Sequence, residues 1–145
     1  MYNDVSGNRL IKASSVIIMT MAAPSIIVIP LVGLLWGYNI YVMFDMIGTS
    51  FPAILSACVG ILGMSIRGTA KEARMLLVLG IANLIVFPFA LGFAVLNLTT
   101  IIYDETLQLI MTMIQPFIIM LLFILSLAVN VIFLVGVIKN IKALR

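Results

Sequence analysis

The stretch Arg67-Gly68-Thr69-Ala70-Lys71-Glu72-Ala73-Arg74 decides how this chain is read. Its three cations interrupt two long apolar blocks. The other basic residues are Arg9 and Lys12, before the first block, and Lys139, Lys142 and Arg145, after the second. Each block is long enough for two bilayer crossings at roughly 20 residues apiece. Lys and Arg near span ends stay on the cytoplasmic side, so a block with cations on both flanks goes out and returns. The expected fold is an all-α membrane protein: a four-transmembrane-helix bundle made of two hairpins. Both termini and the basic loop 67–74 are expected on the cytoplasmic side, or on its matrix equivalent.

Composition points the same way. Of 145 residues, 64% are hydrophobic and only 9% charged, with a mean hydropathy of +1.32. A water-soluble domain needs far more polar surface, so residues 1–145 are expected to form a single membrane domain. A net charge of +3 would be compatible with nucleic acid, but the cations flank spans and no basic stripe with interleaved aromatics exists, so no nucleic-acid partner is expected. The chain has 0 histidines, which removes the commonest metal ligand and proton shuttle. Cys58, the 1 cysteine, is expected in mid-span as an inert thiol. Neither a cofactor nor a metal is implied. The first apolar segment is too long for a cleaved leader and reads as a signal-anchor.

Outward from the basic loop, the four spans are expected at about 14–36, 50–66, 75–96 and 116–138. Residues 1–12 are polar with a weak amphipathic pattern, expected either as a juxtamembrane helix with Val5, Arg9 and Lys12 along it or as a loose segment. Span 1 contains Pro24 and Pro30 and ends with Gly33 and Gly37 in G-x-x-x-G spacing. Trp36, Tyr38, Tyr41 and Phe44 form an aromatic belt where the chain leaves the bilayer. A turn over Asp45 to Ser50 then leads into span 2, with Pro52 in its first helical turn. Thr69 and Glu72 have the spacing of a capping box at the start of the helix carrying span 3. Asp104 suits an N-cap. Residues 105–115 carry an amphipathic pattern, an outer helix leading through Pro116 into span 4.

Small residues mark the faces that pack. In span 2, Ala53, Ser56, Ala57, Gly60 and Gly63 recur at three-four spacing. In span 3 the same spacing joins Gly80, Asn83, Phe87, Ala90, Ala94 and Asn97. Hydrocarbon supplies no hydrophobic drive between helices, so close approach of small residues is what holds membrane helices together. Asn83 and Asn130 each lie about 12 Å from the basic end of their spans at 1.5 Å per residue, so they can meet. Ser126 is one turn from Asn130. These three form either a polar lining or a hydrogen bond that fixes spans 3 and 4.

The residues that would carry chemistry are missing. No carboxylate lies at mid-span, where coupled transporters need one. No nucleophile motif or phosphate loop is present, so no catalytic residue is assigned. Asp104 and Glu105 read as helix-capping residues. Met43, Met46, Met111 and Met113 lack the Cys or His that would complete a copper site. In span number and hydropathy the chain resembles the small four-span proteins of the claudin and MARVEL type. It lacks the claudin W-x-x-W-C-x-x-C pattern, and no site residue is carried over from that likeness. The expected function is non-enzymatic: a structural or accessory subunit of a membrane complex, or a homo-oligomer, whose partners are lipid and other membrane subunits or itself. The alternative is a small channel or passive permease lined by Asn83, Ser126 and Asn130.

Overall fold

The computed structural model describes residues 6–37, 40–66, 69–100 and 105–143. They form α1 (Ser6–Trp36), α2 (Ile40–Met64), α3 (Ala70–Thr100) and α4 (Glu105–Ala143). Each contains a segment long and apolar enough to cross a membrane. Trp36, Tyr38, Tyr41, Phe44, Asp45, Tyr103 and Asp104, expected near the outer surface, lie outside the residues whose side chains are described, as do Met43 and Met46.

Two helix ends have legible local causes. Gly37 has φ +74°, which a residue without Cβ adopts freely, and it terminates α1. The first helix therefore ends at Trp36, and residues 45–50, expected as a turn, lie inside α2. Helix α2 begins at Ile40, ten residues earlier than the span expected there. Gly37 ends a helix and is not half of a packing motif, and Pro52 lies inside α2 and not in its first turn. Helix α3 opens with the capping box: the Thr69 N–H donates to Glu72 Oε2 at 3.1 Å and the Glu72 N–H donates to Thr69 Oγ1 at 3.2 Å. Two backbone donors of the first turn are satisfied reciprocally. Helix α4 runs without a break through Pro116. Residues 105–115 are thus continuous with the span that follows.

The helices pack in a ring, α1 on α2, α2 on α3, α3 on α4 and α4 on α1, and α1 also meets α3 across the middle. Neighbours run in opposite directions. Gly60 of α2 lies against Ser15 and Met19 of α1, and Gly63, further along α2, against Ile11 and Ser15. The start of α1 lies against the end of α4, where Gly7 meets Gly136. The described basic residues Arg9, Lys12, Lys71, Arg74, Lys139 and Lys142 all sit on segments that share this end of the bundle, and all are exposed.

The buried part of α4, Ser126 to Asn140, lies toward that basic end. Phe133 is 0% exposed. It lies against Gly63 of α2 and Gly80 of α3, so one ring from α4 fills the space that two missing side chains leave. Helix α1 begins at Ser6, well before the span expected from Ser14. Gly7, Ile11, Ser14, Ser15, Ile18, Ala22 and Ser25 are buried along one face, while Arg9 and Lys12 point away from it. The polar segment 6–12 is therefore part of the bundle.

Candidate functional site

The polar centre of the molecule joins three helices. Ser56 of α2, Asn83 of α3 and Asn130 of α4 are each 0% exposed. The Ser56 hydroxyl donates to Asn83 Oδ1 at 2.6 Å, with the Pro52 carbonyl 2.8 Å away as a second acceptor for its single proton. Asn83 Nδ2 donates to Asn130 Oδ1 at 2.8 Å. Asn130 Nδ2 in turn donates to the Ser126 carbonyl at 2.8 Å, and the Ser126 hydroxyl donates to the Phe123 carbonyl at 2.9 Å. The bonds run in one direction, from α2 through α3 to α4. In a low-dielectric interior such a chain is strengthened by mutual polarisation.

The sequence positions these groups simply. Asn83 follows Gly80 by one turn, and Gly80 lets α3 approach Phe133 and Leu134 of α4. Asn130 precedes Phe133 by one turn on the facing helix. The two amides are thus held one turn from the Gly80–Phe133 contact. Chemically the cluster is neutral. An amide beside Ser56 cannot accept its proton as a general base, and serine without a base is a weak nucleophile. What the cluster does well is fix register and rotation among three helices.

The other expected packing residues fall as follows. On α2, Ala53, Ser56, Gly60 and Gly63 are buried and Ala57 is partly so. Gly60 and Gly63 face α1 of the same chain, so this stripe is used within the molecule. On α3, Gly80, Phe87, Ala90 and Ala94 are buried together with Asn83, and Asn97 is partly buried. Cys58 is exposed on the outer side of α2. Met113 is exposed and Met111 partly buried. Among the described residues no group of three His, Cys, Asp or Glu could hold a metal ion.

A second polar contact has no counterpart in the sequence reading. Asn140 Nδ2 of α4 donates to Asn8 Oδ1 of α1 at 2.5 Å, next to the Gly7–Gly136 crossing. Asn140 Oδ1 is buried without a partner. The signal that could have found this pair is the three-four spacing itself. Gly7 and Ile11 continue the α1 face across the charged residues, and Phe133, Gly136, Val137 and Asn140 continue the α4 face past Asn130.

Compared with known protein families, curated proteins and solved structures, the chain matches none.

Proposed function

We propose that the chain is a non-enzymatic integral membrane protein, acting as a structural or accessory subunit of a membrane complex or as a homo-oligomer. In this reading its four helices span the bilayer as two hairpins, with the termini and loop 67–74 on the cytoplasmic or matrix side. The clustering of the described cations at one end of the bundle supports that orientation, because Lys and Arg are retained on that side.

The observation that carries the functional reading is the closed bond chain from Ser56 to Asn130. A pore lining must face water. Here the amides are sealed between helices of one chain and bonded to one another, so they are poor candidates for a channel through the bundle or at an axis between copies. Along the spans the bundle turns large apolar side chains outward, among them Phe51, Ile54, Val78, Ile85 and Phe117. These faces suit lipid and the flanks of other membrane helices. Gly60 and Gly63 of α2 are already used against α1, which leaves the aliphatic and aromatic faces for contacts with a partner.

Native mass spectrometry of the protein extracted in mild detergent tests the proposal. A defined assembly, of this chain alone or with a fixed partner, is expected. Liposome flux of small solutes is expected to match protein-free vesicles. A monodisperse monomer whose flux falls in Asn83→Leu and Asn130→Leu variants of unchanged helical content would establish the permease alternative instead.

A further inference from the structure

Between α1, α3 and α4, in the half of the bundle away from the basic end, lies a cavity of about 150 Å³. Met21, Pro24 and Ser25 of α1, Leu91 and Ala94 of α3, and Leu122 of α4 line it. Its origin is geometric. The Gly7–Gly136 contact draws α1 and α4 together at the basic end. The buried residues of α4 begin only at Ser126. Beyond that level no described residue of α4 is buried, and Leu122 lines the cavity. Pro24 is exposed at the rim, so the cavity opens sideways, toward what would be bilayer hydrocarbon.

One group on the wall does not fit an apolar hole. Ser25 is 0% exposed, and its Oγ has no hydrogen-bond partner. Serines inside helices usually return their proton to a carbonyl three or four residues back. Ser14, Ser56 and Ser126 do so here. Ser25 does not. An unmade bond on a buried hydroxyl costs about 1–3 kcal/mol. Water is a poor remedy, because a cavity with apolar walls stays dry.

From the cavity and this hydroxyl together, the geometry points to a binding site for a small, lipid-dissolved molecule with one hydrogen-bonding oxygen, a lipophilic phenol or alcohol. The hydrocarbon body fits, since an engineered apolar cavity of about 150 Å³ in another protein takes up benzene. The Ser25 hydroxyl is closed off from the cavity as it stands; a turn about χ1 brings it to the ligand, where it supplies the one polar contact and selects for the oxygen. The side opening admits the ligand from the bilayer, where such solutes concentrate. A lipid acyl chain would fill the apolar walls and leave Ser25 unpaired, so it satisfies the site less well.

Photolabelling tests this in the intact protein, held in phosphatidylcholine nanodiscs, with a diazirine-bearing phenol as the probe. Peptide mapping is expected to place the label on the segments containing Met21, Ser25 or Leu122. Excess phenol should protect at least about fivefold better than toluene, and Ser25→Ala should erase that difference, the fold-change of one hydrogen bond. Ala94→Phe, which fills the cavity, should abolish the label. Ser25→Ala deletes an unbonded hydroxyl and should keep its helical content, so its result stands even if Ala94→Phe misfolds. Labelling indifferent to Ser25→Ala, equal protection by toluene and phenol, or protection by dodecanoic acid alone would each overturn the proposal.

Discussion

Asn83 and Asn130 share a hydrogen bond of 2.8 Å across a sequence separation of 47 residues. Each amide is sealed from solvent, so each depends on the other. Leucine at either position should lower stability by about 1–3 kcal/mol, because the remaining amide is left unsatisfied. Leucine at both should cost less than the sum. A double-mutant cycle by reversible unfolding in mixed micelles should give a coupling of about 0.6–1.7 kcal/mol. Strict additivity would show that the two amides do not interact.

Two buried serines make a matched pair with opposite expected outcomes. Ser56 donates to Asn83 Oδ1. Ser15 is equally buried, and its Oγ has no partner. Ser56→Ala should cost about 1–2 kcal/mol, whereas Ser15→Ala should be neutral or stabilising. The same unfolding measurement compares them directly, and equal losses would contradict the bonding pattern.

Glycines at the helix crossing and on an open face should likewise differ in sign. A Cβ on Gly136 would lie 3.0 Å from the Gly7 carbonyl oxygen, a backbone atom with little room to move. Gly136→Ala should therefore force α1 and α4 apart and cost on the order of 1–3 kcal/mol. Gly48 lies in α2 with nothing within 4 Å of a built Cβ. Gly48→Ala should stabilise by about 0.5–1 kcal/mol through helix propensity. Thermal unfolding followed by circular dichroism would read both shifts.

The capping box predicts a local defect. Thr69→Ala removes the hydroxyl that accepts the Glu72 N–H and should cost about 1 kcal/mol. Hydrogen exchange should quicken at the first turn of α3 and stay unchanged around Asn83. Thr69→Ser should keep the protection of that turn.

Hydropathy made the four helices legible, because long apolar segments between cations allow few alternatives. The α3 face could be read for the same reason that it packs: Gly80, Asn83, Phe87, Ala90 and Ala94 repeat with the helix. The Asn83–Asn130 meeting followed from counting turns. Hydropathy does not show the helix end at Gly37, because that backbone conformation acts at one residue while hydropathy averages over many. A helix before Ser14 is one reading of the sequence, but its burial is hidden, because Arg9 and Lys12 mask a face carried by Gly7 and Ile11. The Asn8–Asn140 contact and the cavity at Ser25 depend on which helices adjoin and how they cross. No single segment carries that information.

The Gly7–Gly136 contact has a consequence for biosynthesis. Its two halves belong to the first and the last of the four helices to emerge from the ribosome. The opening helix must wait in the lipid, one flank unmatched, until its final neighbour has been inserted. The clasp therefore cannot close until α4 has been made.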